Sequence, residues 1–416
     1  MHMMKVAVGL TLALTLAACG NTTPGSTAND TDTETVIENA AASSSGSLRE
    51  QAVPNVAGAA RNIIPGQYIV VLKEGAEPRG LARAAGVTPR FVYSIVNGFA
   101  GSLSEGQLNA LKNHPDVAYI EPDQVYTATV EQSMDTNGDP WGLDRINQRD
   151  LPLDRKYSYT YTGSGVRAYI IDTGLDAAHA DFETRAQNVY DAFGGNGNDC
   201  NGHGTHVGGT VGGKVYGVAK QALLRGVKVL DCNGSGSTSG IIAAVDWVRT
   251  NHIKPAVANM SLGGGYSSTL NNAVVNLSNA GVFVAVAAGN ENQDACNVSP
   301  ASAGYNTAVT TTAASDKTDT RASFSNYGQC TDLYAPGVAI KAPWIGSGTT
   351  ETNTISGTSM ASPHVAGVSA LVKHRYGDIS SASVWSYISG AASTGKIKSN
   401  PTGTPNVLLY KYITAW

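Results

Sequence analysis

Three polar residues next to apolar segments have side chains that could supply a buried carboxylate, a base and a nucleophile. Asp172 ends the run VRAYIID, His203 lies between glycines in NGHGTHVGGT, and Ser359 begins SMASPHVAGVSALV. Each also has an ordinary structural interpretation, because Asp172 could cap a turn and Ser359 could cap a helix. The residue types alone leave both interpretations open.

A second histidine, His206, follows His203 at a spacing of three. The glycines around His203 allow its backbone to approach a ligand or a neighbouring segment closely. A histidine pair could bind a metal ion, but no HExxH motif occurs and no third ligand is apparent. We therefore favour one histidine as a base and the other as a packed helix residue.

Three serines precede Pro363, and one of them is favoured as a nucleophile. Proline is tolerated in the first turn of a helix, so the helix should begin close before it, near Ser359. Ser362 then lies inside the first turn, and Ser356 lies outside the helix, beyond Gly357. Unpaired N–H groups at a helix N-terminus favour the anion that an attacked carbonyl becomes. This position predicts a reactive Ser359.

Apolar strands alternate with helices from about residue 131 onward. The predicted strands include VRAYIID, LLRGVKVLD, AVANMSL and VFVAVAAGN, and the predicted helices include STSGIIAAVDWVRTNH and STLNNAVVNLSNAG. This order indicates an α/β fold with a doubly wound, mainly parallel sheet. Sites in such sheets lie at the carboxyl ends of the strands. Asn290 ends one strand, where its amide could form a turn or stabilise a developing oxyanion.

A small α+β domain is predicted to precede the α/β domain, over residues 63–130. Its segments QYIVVLK, RGLARAAG, RFVYSIV, FAGSLS, SEGQLNALKNHP and VAYIEPDQV follow a β-α-β-β-α-β order. Asn97-Gly98 predicts a hairpin, and Ser104 is the expected N-cap of the second helix. The order is typical of a ferredoxin-like sandwich.

The N-terminus predicts export. Residues 1–19 have one charge followed by an apolar run, as in a signal peptide, and end in LAAC. Cys19 could be the lipidated cysteine of a bacterial lipoprotein, or an incidental residue near an ordinary cleavage site. Residues 20–62 are rich in Thr, Ser, Ala, Asn and Asp without apolar periodicity, which predicts a disordered linker. The α/β domain then spans residues 131–416.

Composition excludes some partners. The 416 residues carry a formal net charge of -4, and 14% of them are charged. Such a chain has no strongly basic surface for nucleic acid or anionic membranes. The length is sufficient for two domains.

Four further cysteines, Cys200, Cys232, Cys296 and Cys330, predict two disulfides in an exported protein. Three connectivities are possible, of which pairing between neighbours closes the shortest loops. A zinc site is disfavoured because no CxxC motif occurs and the cysteines are scattered.

Five blocks occur in order along the chain: YIIDTG, NGHGTHVGGT, ANMSLGGG, VAVAAGN and SGTSMASPHVAG. Together they resemble the signature blocks of the subtilisin-like serine proteases (subtilases), from about residue 140 onward. PWGLDRI, GNGNDCNGHGTH, LDCNGSGSTSG and RASFSNYG narrow the resemblance to the proteinase K branch, close to aqualysin-type bacterial enzymes. Two rival classes are a catalytically silent binding protein and a serine esterase. The GxSxG elbow of esterases is absent from GTSMA.

The resemblance implies roles for individual residues. Asp172, His203 and Ser359 would form the catalytic triad. The Asn290 amide and the Ser359 backbone N–H would form the oxyanion hole. The resemblance also implies that Cys200 pairs with Cys232 and Cys296 with Cys330.

The family's substrate cleft pairs an extended peptide with an edge strand and with a facing segment. The residues that match it are Gly234, Ser235 and Gly236 on the edge strand, and Ser261, Leu262, Gly263, Gly264 and Ala288 opposite. An S1 pocket walled by Gly263, Gly264 and Ala288 would be roomy and uncharged. The resemblance therefore implies broad specificity with a preference for apolar or aromatic P1 side chains.

A structural calcium site is implied as well. The branch uses an aspartate after SNYG together with backbone carbonyls before ASD, which here are Asp332 and the carbonyls of Thr307 and Val309. Asp332 could also be an ordinary solvated residue. A second site near Asp144, Gln148 and Asp154 is less well supported, because Lys156 replaces a ligand of some relatives.

The small domain resembles the inhibitor-type propeptide of the family, which assists folding and then blocks the cleft with its tail. EPDQVYTATVEQ would be that tail, with cleavage between residues 128 and 132. The resemblance thus implies a self-processing, secreted, monomeric endopeptidase with protein or peptide substrates and its own propeptide as an inhibitor.

Overall fold

The computed structural model describes residues 63–93, 97–124 and 130–412. The predicted signal peptide with Cys19 and the predicted linker lie outside these residues, as do residues 125–129, where the predicted cleavage region begins. Within the described residues, no helix combines the length and the apolar character needed to cross a membrane.

Residues 63–93 and 97–124 form an antiparallel sheet of four strands with two helices. The elements are β1 (Ile63–Leu72), α1 (Pro78–Ala84), β2 (Phe91–Tyr93), β3 (Gly98–Ser102), α2 (Glu105–Lys112) and β4 (Val117–Gln124). The strands lie in the order β2-β3-β1-β4. Val70 and Phe99 of the sheet pack against Leu81 of α1 and Leu111 of α2. This is the ferredoxin-like arrangement that the sequence predicts.

Local signals in this small domain act as predicted. The Gln107 backbone N–H donates to Ser104 Oγ at 3.3 Å, and the Ser104 N–H donates to Gln107 Oε1 at 2.9 Å. This reciprocal cap starts α2. Asn97 has a φ of 41° in the turn before β3, and its Nδ2 donates to the Lys73 carbonyl at 2.8 Å. The predicted strand continues to residue 96, but residues 94–96 lie outside the described part of the chain.

Residues 130–412 hold the larger domain. Its first elements are β5 (Val130–Ser133), α3 (Trp141–Asn147), β6 (Lys156–Tyr159), β7 (Arg167–Asp172), β8 (Ala186–Asp191), α4 (His203–Gly212), β9 (Leu223–Lys228), α5 (Thr238–Asn251), β10 (Ala256–Met260) and β11 (Gly264–Gly265). The remainder are α6 (Ser268–Asn279), β12 (Phe283–Ala287), β13 (Val298–Ser299), β14 (Val309–Ser315), β15 (Leu333–Pro336), β16 (Ile340–Pro343), β17 (Thr352–Ile355), α7 (Thr358–Tyr376), α8 (Ser381–Ala391), β18 (Ser393–Thr394) and β19 (Val407–Leu408).

Nine strands of residues 130–412 form one sheet, in the order β18-β19-β15-β14-β12-β10-β7-β9-β8. Its strands pair in parallel, except β18 with β19. In β7, Ala168 and Ile170 belong to the core formed with α4 and α7, whereas Tyr169 and Ile171 belong to the core formed with α5 and α6. Helices therefore cover both faces of the sheet, which confirms the predicted doubly wound α/β fold.

Candidate active site

Asp172 and His203 are joined by a short hydrogen bond where β7 ends and α4 begins. Asp172 is fully buried, and the side chain of His203 is 24% exposed. The His203 Nδ1 donates to Asp172 Oδ1 over 2.7 Å, and the backbone N–H of Thr173 donates to the same oxygen over 2.7 Å. The carboxylate thus fixes the ring and leaves Nε2 as the nitrogen that can accept a proton.

Charge sets the proton affinity of His203. Burial by itself would lower the pKa of His203, but the negative charge and hydrogen bond of Asp172 outweigh burial, and the charge of Asp199 adds to the rise. The pKa of His203 therefore lies above its usual value. In contrast, burial lowers the pKa of His206 to about 4, and its Nε2 lies 2.9 Å from the Ile340 carbonyl. His206 is the packed histidine of the pair.

Ser359 lies at the same edge of the sheet, where it contacts Ser261. Asn259 of β10 pairs with Ile170 of β7, so Ser261 and Asp172 each follow two residues later. The Ser359 Oγ donates to the Ser261 carbonyl at 3.2 Å. The Ser261 Oγ donates to the Ser359 carbonyl at 2.7 Å. The two serines are therefore linked in both directions.

The candidate nucleophile, Ser359, and the candidate base, His203, are not hydrogen-bonded to each other. Among the described residues, the hydroxyl of Ser359 donates to Ser261 and no hydrogen bond joins it to His203. The helices that carry them, α4 and α7, pack against each other on one face of the sheet. Catalytic hydrogen bonds are often long in enzymes without substrate. The structure joins Asp172 to His203 and Ser359 to Ser261.

Helix α7 starts near Ser359 as predicted, but the position of Pro363 in it differs from the prediction. The helix begins at Thr358, and Pro363 is its sixth residue, so Pro363 lies in the second turn and the predicted first-turn position is wrong. Proline has no N–H to donate to the carbonyl four residues earlier, which is that of Ser359. The Ser261 hydroxyl donates to this carbonyl instead. The proline is tolerated because a side chain replaces the missing backbone donor.

A buried chain of hydrogen bonds holds the Ser261 side chain. The Ser362 Oγ donates to Asn259 Oδ1 at 2.7 Å, and Asn259 Nδ2 donates to Ser261 Oγ at 2.9 Å. All three side chains are buried. Asn259 and Ser362 are not among the predicted site residues. The signal for Asn259 is a polar residue inside the apolar strand AVANM, since a buried amide requires partners.

Asn290 is oriented by the first residue of α7. Its Oδ1 accepts a hydrogen bond from the Thr358 N–H at 2.8 Å and another from the Thr358 hydroxyl at 3.0 Å. The exposed Asn290 therefore has its Nδ2 left as a donor. Thr358 also accepts from the Gly289 N–H through its Oγ1 at 3.1 Å. Thr358, which is absent from the predicted site, sets the direction of this amide.

The predicted cleft residues range from buried to exposed, and one segment differs from its predicted form. Ser261 leads into β11, where Gly264 pairs with Ser299 in antiparallel register. Gly263 and Gly264 are exposed, and a side chain at Gly264 would meet no atom within 4 Å. Leu262 is partly buried, and Ala288 is fully buried. This side of the cleft is open and uncharged.

The other predicted cleft segment is a turn, so the predicted edge strand is absent from residues 233–237 of the described chain. Gly234, Ser235 and Gly236 are exposed. The Asp231 N–H donates to the Ser235 carbonyl at 2.8 Å, and Asp231 Oδ1 accepts from the Ser235 N–H at 3.0 Å. These local hydrogen bonds close a turn at the point where an edge strand would need a free backbone.

Comparison with known proteins decides the family. Residues 163–406 match the model of the subtilase family, and residues 82–129 match the peptidase inhibitor I9 model. The chain belongs to the subtilase family. It is therefore a serine protease of the hydrolase class, with an I9 inhibitor domain as its propeptide.

Individual relatives of this subtilase agree. It is 49% identical over 375 residues to an extracellular serine proteinase from Thermus sp. (strain Rt41A), covering 83% of this chain and 90% of the relative. It is 50% identical over 329 residues to alkaline serine exoprotease A of Vibrio alginolyticus, covering 78% of this chain and 60% of the relative. A crystal structure of a cold adapted subtilisin-like serine proteinase matches with a TM-score of 0.63 and 48% identity, covering 66% of this chain and 98% of that one.

The subtilase has two disulfides among its described residues. Cys200 is bonded to Cys232, and Cys296 to Cys330. The first bond closes a loop next to the start of α4, and the second lies in the region around β13 and β15. Both match the pairing implied by the family resemblance.

Asp332 lies in surroundings that would suit a bound cation. Its Oδ2 accepts from the Thr311 N–H at 2.7 Å, and burial raises the pKa of its carboxyl to about 7. Asp332 is half-buried, and a carboxylate with so few donors fits a cation. No group of three or more His, Cys, Asp or Glu side chains that could hold a metal occurs in the described part of the chain. A cation here would need backbone carbonyls, such as those of Thr307 and Val309.

The second predicted calcium region also has an unsatisfied carboxylate. Asp144 Oδ1 is buried without a hydrogen-bond partner, while its Oδ2 accepts from the Arg155 N–H at 2.7 Å. Burial raises the pKa of Asp144 to about 6. The Gln148 Nε2 donates to the Asp150 and Pro152 carbonyls, and its Oε1 accepts from the Asp154 N–H at 3.2 Å, so the oxygen is already engaged.

Proposed function

We propose that this subtilase is a secreted endopeptidase that cleaves protein substrates through an acyl-enzyme, with Asp172, His203 and Ser359 as its triad. The observation that carries the proposal is the 2.7 Å hydrogen bond from His203 to Asp172, at the sheet edge where Ser359 contacts Ser261. The Thermus relative is named as extracellular, in agreement with the predicted signal peptide.

The proton follows a defined path in this mechanism. As a peptide binds, the Ser359 hydroxyl leaves the Ser261 carbonyl and donates to Nε2 of His203. Its oxygen attacks the scissile carbonyl while His203 takes the proton, and Asp172 stabilises the imidazolium. His203 then gives this proton to the leaving amine. In the second half of the reaction, His203 takes a proton from water, and the water oxygen attacks the acyl-enzyme. His203 then returns the proton to the Ser359 oxygen, and the acyl group is released as a carboxylic acid.

Two donors would stabilise the oxyanion of the tetrahedral intermediate. One is the Asn290 Nδ2, whose orientation is set by two hydrogen bonds from Thr358 to its Oδ1. The other is the Ser359 backbone N–H at the N-terminus of α7, where it is free of the helix ladder. Both are fixed before substrate arrives, so no reorganisation is needed in the transition state.

The cleft supports broad specificity. A peptide would pair its backbone with Ser261–Gly264 and lie along the exposed turn at Gly234–Gly236, so that recognition depends little on side chains. The segment at Gly263 and Gly264 is exposed and uncharged, and Ala288 would form its inner wall. Apolar or aromatic P1 residues should fit this wall best.

The I9 domain would act as the intramolecular inhibitor. In this proposal, residues 1–19 are the signal peptide that directs export, and residues 20–62 are a linker between it and the propeptide. Residues 63–130 form the propeptide, and residues 131–416 form a monomeric mature enzyme. Self-cleavage between residues 128 and 132 removes everything before it. The mature enzyme is then released whether or not Cys19 carries a lipid.

Structural calcium belongs to the proposal. Asp332 would hold the ion together with the carbonyls of Thr307 and Val309, and a further ion would be held near Asp144 and Asp154. A bound cation would compensate the buried negative charge of each carboxylate and tie its loop to the domain. Neither ion takes part in the proton path.

The test is processing of a Ser359→Ala precursor. It should fold but remain uncleaved, because only the hydroxyl is lost. Ser356→Ala and Ser362→Ala are the matched controls, and both should mature. Ser362→Ala loses a buried hydrogen bond, so its folded state should be less stable than that of the wild type. A serine-directed covalent inhibitor should label the wild type and both controls. Self-cleavage of Ser359→Ala at the wild-type rate, or label on Ser356 or Ser362, would exclude the assignment.

A further inference from the structure

The carboxylate of Asp199 is the most heavily hydrogen-bonded group near the triad. Its Oδ1 accepts from the Thr173 hydroxyl at 2.8 Å and from the N–H groups of Asn201 and Gly202 at 2.9 Å each. Its Oδ2 accepts from the N–H of Thr205 at 2.9 Å and from the Thr205 hydroxyl at 2.7 Å. Both oxygens are therefore held in place.

These donors come from the two elements that carry the proposed base and its carboxylate. Thr173 directly follows Asp172, and Thr205 lies two residues after His203. A second link runs from the Gly204 N–H to the Thr173 hydroxyl at 2.8 Å. The Asp199 carboxylate thus connects the end of β7 to the first turn of α4.

We propose that Asp199 is a positioning residue for the reaction: it fastens the turn that carries His203 to the turn after Asp172, and so holds the imidazole against its carboxylate. This inference rests on the proposed function of His203 as the base. Asp199 acts through His203 and contacts neither substrate nor the reacting atoms.

The charge of Asp199 gives this role a second effect. The charged or titratable groups around the pair are Asp172 on β7, Asp199 in the preceding loop, His206 on α4, and Lys228, which pairs with Asp172 in the β7–β9 register. Asp172 and Asp199 both favour protonated His203. His206 is neutral near pH 7 because burial lowers its pKa to about 4.

The test is Asp199→Asn in the mature enzyme obtained from the full-length precursor, with active sites counted by a covalent inhibitor. Loss of the anchor should lower kcat by about 10-fold to 100-fold, as small misplacements of catalytic groups do. Loss of the charge should move the acid limb of kcat/KM to lower pH by a few tenths of a pH unit, because protonated His203 loses one stabilising charge. A proton NMR titration of His203 should show the same change.

Asp191→Asn is the matched control. Asp191 also accepts backbone hydrogen bonds in the loop before α4, from Phe193 and Gly197, and it is not among the charges that act on His203. It should keep the wild-type pH profile and kcat. A purely structural role for Asp199 would lower the thermal midpoint and leave the acid limb and the NMR titration unchanged. That result would overturn the inference.

Thr173→Val keeps both charges and tests the link alone if Asp199→Asn does not fold. It should lower kcat while the acid limb stays near its wild-type pH, and an unchanged kcat would overturn the inference. His203→Ala separates this inference from the proposed function. An active His203→Ala would refute the triad itself. An inactive His203→Ala with a wild-type pH profile and kcat in Asp199→Asn would refute only the role of Asp199.

Discussion

The Ser261 hydroxyl donates a 2.7 Å hydrogen bond to the Ser359 carbonyl. This carbonyl has no helical N–H partner, because residue 363 is a proline. The same two residues are linked in reverse, from the Ser359 hydroxyl to the Ser261 carbonyl at 3.2 Å. The segment that would bind the substrate backbone and the residue that would attack it are thus held to each other. In the proposed mechanism, the distance between substrate and nucleophile would depend on this contact.

Ser261→Ala should therefore lower kcat by about 10-fold, since the Ser359 carbonyl and the Asn259 amide lose their partner. A stability loss of about 1–3 kcal/mol should accompany it, because buried polar groups are left unpaired. Kinetics with a peptide substrate and a thermal melt of the inhibited enzyme measure both. Ser386→Ala, at an exposed position of α8, is the control and should change neither. A wild-type kcat would show that the contact does not position Ser359.

Thr358→Ala should reduce transition-state stabilisation. It removes one of two hydrogen bonds that orient Asn290 and leaves the backbone N–H at 2.8 Å. We expect kcat and kcat/KM to fall together by about 10-fold, because the oxyanion forms only in the transition state. Thr358→Ser keeps the hydroxyl and should retain activity. A rise in KM with constant kcat would contradict this role for Thr358.

Asp332 should make stability depend on calcium and pH. Without a cation, burial raises the pKa of Asp332 to about 7, whereas in the unfolded chain an aspartate titrates near ~3.9. Between these values the folded protein binds more protons, so the free energy of unfolding falls as pH rises. Bound calcium should restore the free energy of unfolding at high pH. Asp332→Asn should abolish the dependence of stability on calcium and its dependence on pH. Thermal melts of the inhibited enzyme with calcium or chelator, at pH 5 and pH 8, test this.

Asp246→Asn serves as the control for Asp332→Asn, because its exposed carboxylate forms an ion pair with Arg249 on the surface of α5. It should leave the calcium response intact. A calcium response that survives in Asp332→Asn would place the stabilising ion elsewhere, with the Asp144 region as the next candidate.

Lys220 should make the protein more stable at alkaline pH. Its ammonium donates to the carbonyls of Lys214, Val215 and Gly217, and burial lowers its pKa to about 7 although Asp181 opposes the shift. An unfolded lysine titrates near ~10.4. Between these values the unfolded chain binds more protons, so the free energy of unfolding rises with pH, by at most about 1.4 kcal/mol per pH unit.

Lys220→Met should reduce this slope, measured by denaturant unfolding of the inhibited enzyme from pH 7 to pH 9. Part of the slope should remain, since burial also lowers the pKa of Lys411 to about 8. Lys214→Met is the control: Lys214 is exposed and its pKa is raised by Glu183, so the slope in this range should stay the same. An unchanged slope in Lys220→Met would mean that Lys220 does not titrate there.

The disulfides should stabilise without taking part in catalysis. Replacing Cys296 and Cys330 by serine opens a bridge with a sequence separation of 34 and should cost about 3–4 kcal/mol. We expect a lower thermal midpoint and an unchanged kcat. Replacing Cys200 and Cys232 should cost as much stability and also raise KM, since the Asn201 side chain donates to the Cys232 carbonyl beside the cleft turn. Equal KM values in both variants would contradict the second expectation.

The sequence was sufficient for features that depend on neighbouring residues. The alternation of apolar strands with helices predicts the doubly wound sheet, and Ser104 with Gln107 predicts the start of α2. The residue types at the strand ends and around Pro363 indicate which side chains could do chemistry. Each of these signals spans only a few residues, within which backbone preference and capping decide the outcome.

Only the tertiary structure decided how these side chains are supported. Ser261 and Ser359 are 98 residues apart in sequence, and Asn290 and Thr358 are 68 apart. Local pattern placed Pro363 in the first turn because it could not show that a distant hydroxyl would replace the missing N–H donor. The family resemblance implied an edge strand where Asp231 closes a turn. The physical reason is that a buried polar group must find a partner, and the fold decides which partner is in reach.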